Sequence, residues 1–127
     1  MRKSILFGAV VMSLVSVSGA SAGPWEDGMA SYNRGDYVPA ISLFRPLAQA
    51  GNAKAQSIMG VMYRKGQGVA PNSARAYMWL SVAAARGDAK ARAELREVSK
   101  EMTPEEMTQA KEMMRACEAS NYRQCEY

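Results

Sequence analysis

The 127-residue chain contains no histidine, and this one absence removes much familiar chemistry. Without imidazole there is no Ser-His or Cys-His nucleophile pair and no histidine-ligated metal. Cysteine is nearly as scarce. Cys117 and Cys125 are the whole complement, and Cys-x-x-Cys, the spacing of a redox-active dithiol, does not occur. Ser-x-x-Lys is missing too, so that serine-nucleophile signature is absent. Aromatic residues are only 8% of the chain and are not interleaved with a Lys/Arg patch, which argues against a nucleic-acid partner. The residues point to no enzyme, no cofactor and no metal.

The first apolar run is a targeting signal by pattern. Arg2 and Lys3 precede an apolar stretch from Ile5 to Val17, and Ala20-Ser21-Ala22 supplies small residues for cleavage before Gly23. The run is short for a bilayer span, so residues 1–22 read as a cleavable signal peptide with no stable membrane insertion afterwards. Export to a periplasmic or secreted location is the expectation. Losing Arg2 and Lys3 lowers the formal net charge from +4 to +2, so part of the basicity belongs to the signal. In an oxidising compartment Cys117 and Cys125, eight positions apart, are most simply a disulfide. Such a staple would pin a C-terminal tail, residues 117–127, that would otherwise fray.

The remaining chain repeats itself. Residues 48–56, AQAGNAKAQ, and residues 84–92, AARGDAKAR, agree at five of nine positions with an offset of 36. Upstream, Ala40, Phe44, Leu47 and Ala48 correspond to Ala76, Leu80, Ala83 and Ala84, both sets spaced to make one apolar stripe on a helix. Self-similarity at this period indicates helical units that bury their faces by stacking. Helices are predicted from about Pro24 to Asn33, with Trp25, Met29 and Tyr32 facing inward, from a cap at Asp36 to Ala50, from Ala53 to about Lys65, from Ser73 to Arg86, from Ala89 to about Lys100, and from Pro104 to about Ala119. Asn52, Asp88 and Thr103 are the expected N-caps, and Gly51 and Gly87 the expected stops.

The segment Ala55 to Val69, AQSIMGVMYRKGQGV, followed by Ala76-x-x-Trp79, Ala83-Ala84 and Gly87, resembles a Sel1-like repeat of the tetratricopeptide-like superfamily. The resemblance implies an all-α fold: a short right-handed α/α solenoid of about two and a half repeats with a C-terminal capping helix. Its units would span about 24–51 and 52–87, with a partial unit at 88–120, inside a repeat domain of residues 23–127. Ala55, Ala76, Ala83 and Ala84 would let helices approach, as would Gly60 in mid-helix, while Tyr63 and Trp79 fill the gaps. Gly66 and Gly68 belong to a turn. Most of the ten methionines are read as core filler rather than thioether ligands for copper.

Function in such a protein is expected on its surface. Lys54, Ile58, Val61 and Lys65 lie off the predicted core stripe of their helix, and 36 residues on stand Lys90, Glu94, Glu97 and Glu101. By the resemblance these would line a concave face, with Ile58 and Val61 between lysines beside an acidic ridge. A protein or peptide partner with apolar and charged anchors fits that face. The expected function is an interaction or adaptor module for an envelope or secreted complex. The alternative is an enzyme or inhibitor directed at the cell wall or at β-lactams, an activity linked to some disulfide-rich Sel1-like relatives but supported by no residue here. The exposed ends of so short a stack would also allow self-association.

Overall fold

A computed structural model describes residues 22–126, and the expected signal segment lies outside these residues except for Ala22. The described residues form six helices and no strand. These are α1 (Pro24–Asn33), α2 (Tyr37–Gln49), α3 (Ala53–Lys65), α4 (Ser73–Ala85), α5 (Ala89–Lys100) and α6 (Pro104–Ala119). None is long and apolar enough to cross a membrane.

The helix ends follow local chemistry. Asn52 Oδ1 accepts from the Ala55 N–H at 3.0 Å, Asp88 Oδ1 from Ala91 at 2.8 Å, and Thr103 Oγ1 from Glu106 at 3.1 Å. Each side chain satisfies one of the amide donors left over in the first turn of a helix. Asn72 caps α4 in the same way, accepting from Arg75 at 2.9 Å. Asp36 departs from expectation. It makes no cap hydrogen bond, and its Oδ2 accepts from Arg34 Nε at 3.2 Å. Pro46 does not end α2, which stays helical to Gln49.

The two similar nonapeptides adopt one geometry. After α2, the Gly51 and Asn52 amides donate to the Ala48 and Leu47 carbonyls; after α4, those of Gly87 and Asp88 donate to Ala84 and Ala83. Gly51 and Gly87 take left-handed φ values of 93° and 94°, where a Cβ would strain the backbone. The same turn chemistry, 36 residues apart, turns α2 into α3 and α4 into α5.

Each helix from α1 to α5 packs on its chain neighbour, and α3 also meets α5, whereas α6 returns to lie on α4. The centre is α3 and α4. Met59, Met62, Met78, Trp79 and Leu80 are fully buried there, with Phe44 reaching in from α2. Gln56, also buried, donates from Nε2 to the Ala48 carbonyl at 3.1 Å and ties α3 to the end of α2. Ala55, Ala76 and Ala83 have no exposed surface, while Ala84 is half-buried. Gly60 faces Leu80 so closely that an added Cβ would stand 2.5 Å from Leu80 Cγ. Gly66 ends α3 with a φ of 69°, and Gly68 lies against the Tyr37 carbonyl. Beyond α6, Cys117 and Cys125 are joined in a disulfide and both are buried.

Candidate functional site

The eight residues expected to form one concave face do not do so. Ile58 is 7% exposed and Val61 2%, and every residue from Ala55 to Tyr63 is buried. The correction has a simple cause. With α2, α4 and α5 all packed around it, α3 is a central helix and keeps no free stripe along its middle. The acidic ridge is corrected as well. Arg64 reaches across from α3 to α5, placing Nη1 3.0 Å from Glu94 and Nη2 2.6 Å from Glu101, while Glu97 pairs with Lys100 at 3.1 Å. Hydrogen bonds from Arg64 hold the Glu101 carboxyl below its ordinary range, and donating to Glu101 and then Glu94 raises the Arg64 pKa in turn. These carboxylates belong to an intramolecular network. Lys65 is exposed at the end of α3, away from Lys54 and Lys90 along the helix.

Three of the expected residues do meet. Lys54, Ile58 and Lys90 line a cleft of about 280 Å³ together with Trp25, Met29, Ser57 and Asp88. Its construction follows from helical spacing. Trp25 and Met29 are four apart on α1, and Lys54, Ser57 and Ile58 fall at i, i+3 and i+4 on α3. The N-cap and first turn of α5 bring Asp88 and Lys90. Trp25 is braced from behind by Phe44, ring centroids 5.3 Å apart. Trp25, Met29 and Ile58 therefore give an apolar surface, and Lys54 and Lys90 stand exposed beside it.

Two features give the cleft a chemical preference. Asp88, whose Oδ1 caps α5, is one carboxylate against two ammonium groups, so the rim is net positive. Ser57 lines the cleft, is only 3% exposed, and its hydroxyl has no hydrogen-bond partner among the described residues. A buried hydroxyl in that state can donate to or accept from a group that enters beside it. The cleft thus suits an apolar group carrying an anion. Sequence reasoning placed Trp25 and Met29 in the core and did not single out Ser57 or Asp88 for binding.

A second polar cluster lies under the tail. Glu126 accepts from Tyr63 Oη at 2.6 Å and from Trp79 Nε1 at 3.2 Å through Oε1, and from Arg45 Nε at 2.5 Å through Oε2. Arg45, Tyr63 and Trp79 come from α2, α3 and α4, so one carboxylate joins three helices. Burial, and then the adjoining Glu126 carboxylate, push the Tyr63 phenol above its ordinary pKa. Burial works against the Arg45 charge, but hydrogen bonds with Glu126 and Tyr63 outweigh it and raise that pKa. Tyr63 and Trp79 were expected only to fill space, and nothing in the sequence around Glu126 announces the contact beyond its place next to Cys125.

Compared with known proteins, the chain matches no family model and no curated protein.

Proposed function

We propose that the chain is an exported interaction module, an α/α solenoid of the Sel1-like kind, that holds a peptide segment of a partner protein in the cleft at Lys54 and Lys90. The single observation that carries this reading is the cleft itself: an apolar floor, two flanking cations and a buried hydroxyl without a partner among the described residues. The solenoid part is supported by the matching turns at Gly51 and Gly87 and by the packing of successive helices on one another. The partner segment would place an aromatic or aliphatic side chain against Trp25, Met29 and Ile58. A neighbouring carboxylate would lie between the lysines. Desolvating the indole and thioether supplies most of the affinity, and the charges set register and on-rate.

The experiment compares the mature chain with a K54E/K90E chain as bait in an envelope extract, with captured proteins identified by mass spectrometry. Both lysines are exposed, so the variant keeps its helicity, and the wild-type captures a partner that the variant loses. Synthetic peptides from that partner then bind in an order set by their acidic residues, and W25A weakens all of them. An identical captured set for both chains refutes the reading.

A further inference from the structure

The contact between Glu126 and Arg45, Tyr63 and Trp79 has the form of a ligand in its site. Three donors from three helices converge on the two oxygens of one carboxylate. The indole N–H of Trp79 and the phenol of Tyr63 are buried, so each needs a polar partner where it stands. The group they receive is carried by the chain's extreme tail, not by the helical frame. The tail is held in place by the disulfide at Cys125, one residue before the carboxylate. Between the cysteines the backbone turns through Asn121 and Tyr122, at left-handed φ values of 55° and 67°. A bulky side chain such as Tyr122 adopts that region at a conformational cost, which the covalent closure resists. Tyr122 is further fixed by Arg86, whose Nη1 donates to its hydroxyl at 3.3 Å.

We propose that Arg45, Tyr63 and Trp79 form a carboxylate-binding site, that Glu126 is its tethered occupant, and that reduction of Cys117–Cys125 opens the site to a glutamate side chain of a peptide. In the reducing step a dithiol gives two electrons and two protons. It becomes a disulfide, and Cys117 and Cys125 become thiols. The closed tail keeps Glu126 at high effective concentration over the site, and opening the ring lowers that concentration without removing any of the three donors. Selectivity for a carboxylate over an amide follows from the Arg45 guanidinium, which pairs with an anion more strongly than with a neutral oxygen.

The test uses the full mature chain and a fluorescent peptide copying residues 120–126, with C125S and an amidated end, so that its carboxylate is the glutamate side chain. Fluorescence anisotropy is read with the oxidised chain, the chain reduced by dithiothreitol, and an oxidant-independent C125S/E126A chain. The oxidised chain ignores the peptide. The reduced chain binds it, and C125S/E126A binds it more tightly because the competing carboxylate is gone. An otherwise identical peptide carrying E126Q binds at least about tenfold more weakly, as expected for loss of a charge-assisted contact. Equal binding of the two peptides overturns the proposal, as does a folded C125S/E126A chain that ignores both. Unfolding of C125S/E126A overturns it too, since the three donors would then be a closure of the core with no capacity to receive a ligand.

Discussion

Gly60→Ala sets two effects of similar size against each other, and the structure decides between them. In an open helix, alanine in place of glycine stabilises by about 1 kcal/mol through backbone entropy. At position 60 the new methyl would stand 2.5 Å from Leu80 Cγ, 2.7 Å from Cδ2 and 3.2 Å from the Ala76 carbonyl oxygen. Leu80 has no exposed surface into which it can swing, and the third neighbour is backbone. Forcing a methyl into a packed site of this kind costs about 1–3 kcal/mol, and the rigidity of both neighbours puts this case in the upper part of that range. The net expectation is a loss of about 1–2 kcal/mol, the difference of the two terms. For a domain of this size that lowers the melting temperature by roughly 5–12 °C. Urea denaturation followed by circular dichroism measures it. The decisive arm is the double mutant. Leu80→Ala alone costs about 2–5 kcal/mol. In its background the clash with Leu80 is gone, so Gly60→Ala becomes neutral or stabilising by up to about 1 kcal/mol. An equal cost in both backgrounds, or a rise in stability from Gly60→Ala alone, refutes the close approach of α3 to α4 as the reason for glycine.

Four further outcomes are expected. Cys117→Ser should lower stability by about 2–3 kcal/mol, the loop-closure estimate for so short a ring, and the loss should match that produced by reductant on the unsubstituted chain in calorimetry. Tyr63 has a raised folded-state pKa, so its contribution is fully present below the ordinary tyrosine pKa and falls as pH rises through the folded value. Alkaline melts should show that decline, and Tyr63→Phe should flatten it. Val61→Asp should cost on the order of 3 kcal/mol or more because it buries an unpaired carboxylate, whereas Lys54→Glu leaves the melt unchanged. For Glu101, held below its ordinary pKa by Arg64, the contribution is present above that ordinary value and lost as pH falls through the folded one. Because the carboxylate is solvent-exposed, added salt should erase the small difference between wild type and Glu101→Gln in melts near neutral pH.

The helices were legible because their signals are local. A cap accepts from an amide three residues on, a left-handed glycine stops a helix, and neither needs knowledge of the remaining chain. Asn52, Asp88 and Thr103 cap where the sequence places them. Asp36 does not cap α2, and its carboxylate pairs with the neighbouring Arg34. The candidate site was legible only in part. Lys54, Ile58 and Lys90 reach one cleft, but Trp25 and Met29 looked like core, and Glu94 and Glu101 looked free until Arg64 was seen between them.

The amino-acid sequence alone determined the all-helical character, the helix limits, the recurrence of one turn after 36 residues and the pairing of the only two cysteines. These rest on hydrogen bonds and covalent reach over a few residues. Tertiary packing decided which faces stay open. Surrounding α3 with three other helices turned a predicted binding stripe into core. Folding the tail over α2, α3 and α4 turned Glu126 from a tail charge into the hydrogen-bonded centre of a part-buried cluster. Burial depends on contacts between residues tens of positions apart, and helical periodicity says which residues share a face without saying what covers it.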